Sequence, residues 1–262
     1  MLELFFSEIS IVNFMFLASA CFCAAFVDAI AGGGGLISLP AFLAAGLDPH
    51  MALGTNKLAA FFSSSGSALK FARSGKINWN LIKYLIPFSF IGAILGVKSV
   101  MLIDSKYLYP IAFGLLLAVL IYTLKNKKLG TCDNFTGLTS SNIKLGILLA
   151  FSLGFYDGFF GPGTGSFIIF GLIRIFKFDF IRSSGNSKFL NLASNVASVI
   201  TFIYYGKIAY MYALAVGAVM LFGASTGAKV AVTKGTGFIR PVFLIITTVV
   251  TAKMAITFLQ NL

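Results

Sequence analysis

Asp28 and Asp157 are two of only 8 acidic residues in a chain of 262, and each stands just before a glycine-rich break in otherwise apolar sequence. The first stretch reads Asp28-Ala-Ile-Ala-Gly-Gly-Gly-Gly35 and is followed by Thr55-Asn56-Lys57. The second reads Asp157-Gly-Phe-Phe-Gly-Pro-Gly-Thr164 and is followed by Asn186-Ser187-Lys188. An acid, a broken helix and a lysine recur in the same order, and together they suit the handling of a small anion.

The glycines supply the first part of that chemistry. Each glycine in a helix interior costs about 1 kcal/mol relative to alanine, so four in a row at Gly32 to Gly35 predict a true break. A half-helix starting near Leu36 then aims its N-terminal N–H groups and positive dipole end at the break, an arrangement that binds anions without a charged side chain. Gly33, Gly34 and Gly35 are candidate anion contacts on these grounds, and in the second copy Gly163, Thr164 and Gly165, with Gly161 and Ser166, are expected to do likewise. Close packing through small residues is the competing reading. It suits Gly92/Gly96 and Gly223/Gly227 better, since both pairs have GxxxG spacing. A nucleotide loop is excluded, because no GK[ST] and no preceding strand accompany either run.

Lys57 and Lys188 each lie a few residues into a following helix and head a polar stripe. Snorkelling to the interface competes with a functional role. Against it, Asn56, Ser63, Ser64 and Ser67 share one face, as do Ser187, Asn191, Ser194, Asn195 and Ser198. A face of this kind turns away from lipid toward protein or a wet path. Asn56, Asn186, Asn191 and Asn195 are therefore expected to hydrogen-bond the anion, with Lys57 and Lys188 making an electropositive centre. Asp28 and Asp157 are expected either to carry a proton or pair with a lysine, or to cap the next helix.

The elements that position these groups are membrane spans. Hydrophobic residues make up 58% of the chain and charged residues only 11%, with a mean hydropathy of +0.94. Repeated apolar runs near bilayer length predict an all-α, polytopic integral membrane protein. The excess of 20 basic over 8 acidic residues is read as cytoplasmic loops facing anionic lipid rather than as a nucleic-acid surface. The N-terminus has no basic n-region, so no cleaved signal peptide is expected. Cys21, Cys23 and Cys132 have no CxxC spacing, and neither a disulfide framework, a metal site nor a cofactor is expected. One histidine, His50, placed in a surface turn, with no HExxH or Cys–His pattern, argues against an enzyme.

The layout is duplicated. The first repeat is taken as 1–124, a polar loop as 125–142 and the second repeat as 143–262. Gly54, Lys57, Gly75, Gly92, Gly96 and Pro110 match Gly185, Lys188, Gly206, Gly223, Gly227 and Pro241, each offset by 131 as between Lys57 and Lys188. Basic residues crowd the loop from Lys70 to Lys83 in the first half, but in the second they crowd Arg174 to Lys188, after the half-helix. Equivalent loops with opposite bias predict inverted repeats, each a glycine-broken hairpin plus three spans, about eight transmembrane segments in all. Trp79, Tyr84, Tyr204, Tyr205 and Tyr210 fall near span ends as an interfacial belt.

At Ala31-Gly-Gly-Gly-Gly-Leu-Ile-Ser-Leu-Pro40, Ala52-Leu-Gly-Thr-Asn-Lys57, Ser74-Gly-Lys-Ile-Asn-Trp79, Gly161-Pro-Gly-Thr-Gly165 and Gly223-Ala-Ser-Thr-Gly-Ala-Lys229 the chain resembles the sulfite exporter TauE/SafE family, also called the toluene sulfonate uptake permeases. The resemblance covers essentially the whole chain. It implies transport of sulfur-containing anions, such as sulfite, sulfoacetate or other organosulfonates, across the bacterial inner membrane. Pro162 and Thr164 replace two of the four glycines in the second copy, which makes the half-sites unequal. The expectation is a secondary transporter of small anions working by alternating access, proton-coupled through Asp28 or Asp157 and able to form a homo-oligomer. An anion channel with the same constriction is the alternative.

Overall fold

The computed structural model describes residues 11–104, 106–107 and 132–234. They form eight helices: α1 (Ile11–Ala31), α2 (Gly35–Ala44), α3 (Pro49–Arg73), α4 (Trp79–Val100), α5 (Ser140–Phe159), α6 (Thr164–Phe176), α7 (Phe180–Tyr204) and α8 (Tyr210–Lys234). The spans expected at 107–124 (but for Tyr107) and 238–259, residues 125–131 of the inter-repeat loop, and the Pro110/Pro241 match lie outside the described residues.

Side-chain caps fix where several helices begin, and those helices start one to three residues before their apolar runs. Asp48 accepts from His50 N–H ahead of Pro49, and Asn78 accepts from Leu81 N–H. Thr139 and Asn142 form a reciprocal capping box, and Asp179 accepts from Arg182 N–H. Each cap satisfies N–H groups that the first turn leaves without a helical partner. His50 is thereby drawn into α3. It is buried, with Nε2 3.2 Å from the carbonyl oxygen of Val100, and is not a surface-turn residue.

Helix directions follow from which residues meet. Gly217 faces the Phe62 ring and Gly66 faces Leu221 and Ser225, so α3 and α8 run parallel. Gly223 and Gly227 lie on the backbone of Phe22 and Phe26, which makes α1 parallel to α8. Gly92 and Gly96 lie likewise on Phe151 and Phe155, which makes α4 parallel to α5. The packing role assigned to both GxxxG pairs is therefore observed. Between the two groups the sense reverses: Gly54 meets Phe202, Asn195 meets Ala60 and Ser64, and Gly185 meets Phe71, so α3 and α7 are antiparallel. Helices equivalent in sequence thus run in opposite directions, the arrangement of an inverted repeat.

Each glycine break is a hairpin. The backbone turns at Gly32 (φ 73°) and Gly33 (φ 104°) in the first half and at Gly161 (φ 93°) and Gly163 (φ 85°) in the second. These are left-handed conformations that residues with a Cβ rarely adopt. Because α1 and α3 run the same way, α2 must turn back to the face on which α1 began, and its ten residues cover about 15 Å. The two hairpins enter from opposite faces and touch at their tips, Gly32 lying against the backbone of Gly165 and Ser166. They are re-entrant, and their arms do not both cross.

Polarity is distributed as a bilayer requires. α1, α4 and α8 contain stretches long and apolar enough to span. The more polar α3 and α7 lie between them, and Asn56, Ser63, Ser64, Ser67, Asn191, Ser194, Asn195 and Ser198 are all buried. Phe16, Leu148, Ile200 and Phe222 are exposed instead, forming the apolar outer surface. Lys70, Arg73, Lys76, Lys144, Arg174, Lys177, Arg182, Lys229 and Lys234 all end up at one face, at the C-terminal ends of α3, α6 and α8 and the N-terminal ends of α5 and α7. The opposite face carries Lys98, Lys106 and Lys207.

Candidate functional site

The hairpin tips and the central helices α3 and α7 enclose a small cavity. It is lined by Asp28, Gly33, Gly34, Gly35, Ser38, Asn56, Lys57, Ala60, Ser63, Asp157, Gly161, Gly163, Thr164, Gly165, Asn191, Asn195 and Met220. Its volume is about 40 Å³, on a measure in which one water takes about 10–15 Å³. That is room for roughly three or four oxygen-sized atoms.

The ion pairs across this centre are crossed. Lys57 Nζ lies 2.8 Å from Asp157 Oδ2, and Lys188 Nζ lies 2.8 Å from Asp28 Oδ2. Each lysine is therefore matched by the acid of the other half. The expected electropositive centre is neutralised in this conformation, since the four formal charges cancel.

The two half-sites differ beyond that. Asp28 Oδ1 accepts from the N–H groups of Gly33 and Gly34, both at 3.1 Å, so this acid holds the hairpin tip just ahead of α2 and pairs with a lysine at once. Lys188 also donates to the Asp28 carbonyl oxygen, and its side chain is completely buried, behind Asp28 rather than on the cavity. Asp157 caps nothing. It accepts from Ser194 Oγ at 2.6 Å and meets Lys57, whose Nζ borders the cavity beside Gly161. Pro162, which has no N–H, occupies the tip where the first hairpin has Gly33, and its carbonyl accepts from the Tyr156 hydroxyl at 2.7 Å.

Of the sequence-predicted residues, Gly33, Gly34, Gly35, Asn56, Lys57, Gly163, Thr164, Gly165, Asn191, Asn195, Asp28 and Asp157 all border the cavity. Lys188 reaches it only through Asp28. Asn186 does not reach it: its Oδ1 accepts from Asn78 N–H at 2.9 Å and its Nδ2 donates to Arg182 O at 2.7 Å, which ties α7 to the α3–α4 loop. The offset of 131 already paired Asn186 with Thr55, and Thr55 Oγ1 likewise accepts from Ala209 N–H at 3.0 Å, in the α7–α8 connection. These two contacts tie each loop to a central helix of the other half, at opposite faces.

Sequence reasoning missed Ser38 as a cavity residue. Its hydroxyl donates to Asn56 Oδ1 at 2.6 Å, orienting that amide, and nothing in a ten-residue apolar half-helix singles it out. Ser63 was visible in the polar stripe but not assigned to the site. Ser63 Oγ and Asn191 Oδ1 are buried at the cavity and carry no protein hydrogen bond. A buried polar atom without a partner is costly, so these two mark where a ligand or water completes the site. Among the described residues no group of His, Cys, Asp and Glu could hold a metal.

The description "Sulfite exporter TauE/SafE" belongs to a family whose model matches residues 17–254. The chain belongs to this family. A probable membrane transporter protein of Haemophilus influenzae is 40% identical over 89% of this chain and 91% of its own length. The Sinorhizobium protein ORF9, also called a probable membrane transporter, is 36% identical over 88% of each chain. The probable membrane transporter YfcA of Escherichia coli is 34% identical over 88% of this chain and 85% of its own. No solved structure matches significantly. As a TauE/SafE member built from apolar helices, the chain is a multi-pass bacterial membrane transporter and not an enzyme.

Proposed function

We propose that the protein is a secondary transporter of small anions, sulfur oxyanions or small organosulfonates of the size of sulfite, working by alternating access between its inverted halves. The observation that carries this reading is the cavity where the hairpin tips meet. Lys57, the Asn56 amide and the α6 tip offer donors there, and Ser63 and Asn191 are left with unmet hydrogen-bonding capacity. The volume suits a four-atom oxyanion. The family's name, which refers to sulfite export, points to the same class of ligand.

Closure at both faces favours a transporter over a channel. The α3–α4 loop seals on Gly185 and Asn186, and the α7–α8 loop seals on Gly54 and Thr55. Opening one seal at a time exposes the same site to each side in turn, as rocking of inverted repeats does elsewhere. The face rich in lysine and arginine is cytoplasmic by the positive-inside rule, so anionic lipid meets the protein there.

The test is sulfite flux into proteoliposomes, with a panel of sulfonates and carboxylates alongside. Saturable, mutually competing uptake supports the reading. Resolvable single-channel currents would replace it with a channel, and silence across the whole panel would remove the anion assignment.

A further inference from the structure

The charge balance of the cavity restricts how an anion can enter it. Lys57, Lys188, Asp28 and Asp157 are already mutually neutralised. An anion added to this enclosure leaves a surplus negative charge away from water, which is strongly unfavourable without compensation. A carboxylate that takes up a proton on the spot supplies that compensation from the residues already present.

Only one of the two acids is free to do so without dismantling the fold. Asp28 is held by the N–H groups of Gly33 and Gly34 and by Lys188, and a neutral Asp28 would leave the fully buried Lys188 with a lone carbonyl partner. Asp157 has two side-chain partners, Lys57 Nζ and Ser194 Oγ, and Lys57 borders the cavity. The groups facing Asp157 are Lys57 from α3, Ser194 from α7 and its neighbour Tyr156, whose hydroxyl is turned to Pro162. Asp28 stands across the cavity on α1. α4 and α6, which also pack on α5, bring no charged side chain within ion-pair distance of Asp157 among the described residues.

We propose that Asp157 is the proton-coupling acid of this transporter, and that one proton enters with each monoanion bound. The proton adds to the Asp157 carboxylate, its ion pair with Lys57 is released, and the anion takes the vacated place beside Lys57 Nζ and the α6 tip. No other bond forms or breaks. Asp28 and Lys188 stay paired throughout as a fixed part of the first hairpin. The two halves therefore divide the work, one carrying the exchangeable pair and the other the permanent one. This inference rests on the anion-transport reading above and deepens it.

Methanesulfonate, a permanent monoanion, is the appropriate probe because it cannot itself bring a proton. Calorimetric titration of the wild-type protein in two buffers of different ionisation heat should show one proton taken up per methanesulfonate bound at pH 7. In proteoliposomes, an inward proton gradient should raise methanesulfonate accumulation at least tenfold, with no response to membrane potential. In Asp157→Asn that stimulation should fall to about onefold, and the remaining slower flux should become potential-dependent. Binding without proton uptake overturns the proposal, as does an Asp157→Asn protein that still follows the proton gradient. If Asp157→Asn fails to fold, the wild-type proton count still decides. If neither methanesulfonate nor sulfite binds or crosses with the wild-type protein, the anion-transport reading fails and this proposal with it. Binding with no linked proton sinks this proposal alone.

Discussion

Lys57 Nζ sits 2.8 Å from Asp157 Oδ2, so the lysine of the first half is satisfied by the acid of the second. Its mirror image, Lys188 with Asp28, sits at the same distance. Two crossed pairs join the halves at the point where both hairpin tips touch, and the centre cannot be built from either repeat alone. Their surroundings then separate them: Lys57 and Asp157 both border the cavity, whereas in the other pair Asp28 borders it and Lys188 is fully buried behind.

The closed pair is expected to behave as structure. Breaking a buried ion pair by removing one partner costs about 3–5 kcal/mol, because the other charge is left uncompensated. Lys188→Met should lower thermal stability in detergent by an amount in that range. Adding Asp28→Asn removes the orphan charge while its side-chain oxygen still accepts from Gly33 and Gly34, so the double variant should recover at least half of the loss. Calorimetric or fluorescence-monitored unfolding of the two variants checks this.

The tip contact is expected to be intolerant of a single methyl group. Gly32 and Gly75 both have positive φ, 73° and 70°, so alanine at either carries a similar backbone penalty of about 1–2 kcal/mol. At Gly75 a Cβ meets nothing within 4 Å, whereas at Gly32 it collides with the backbone of Gly165 and Ser166. Gly32→Ala should therefore lose transport, or folded protein, at least tenfold relative to Gly75→Ala. The yield of monodisperse protein on size-exclusion chromatography, together with uptake per unit of that protein, measures the difference.

The two loop seals are expected to open alternately, so locking either one should stop turnover. In a background with Cys21, Cys23 and Cys132 replaced by serine, Thr55→Cys with Ala209→Cys bridges one face. Asn186→Cys with Asn78→Cys bridges the other. Oxidation of either pair should reduce uptake by about 90% or more, and a reductant should restore it. A cross-linked protein that still transports would show that the seal in question is not a gate.

Much of this architecture was readable from the chain because duplication writes the same features twice. The offset of 131 locates both lysines and both GxxxG packing pairs, the opposite basic bias of equivalent loops gives the inverted layout, and the glycine runs announce the hairpins through their backbone cost. The polar stripes of α3 and α7 announced burial, because no lipid-facing helix carries Asn191, Ser194 and Asn195 on one side. What stayed hidden was relational. That Lys57 would meet Asp157 rather than Asp28 depends on how two antiparallel halves interlock, which no local pattern encodes. The residue type of Asn186 suggests an anion contact, but its register pairs it with Thr55, and both hold a loop of the other half. Helix starts were placed late because Asp48, Thr139 and Asp179 lie outside the apolar runs they cap.

Lys57 is the residue on which the account turns, since it is the one lysine bordering the cavity among the described residues. The most direct test is radiolabelled sulfite uptake into proteoliposomes by wild-type protein and by Lys57→Ala, each verified as folded and monodisperse. The account predicts saturable uptake by the wild type and a loss of at least tenfold in Lys57→Ala. Wild-type uptake rates in a folded Lys57→Ala protein would contradict it.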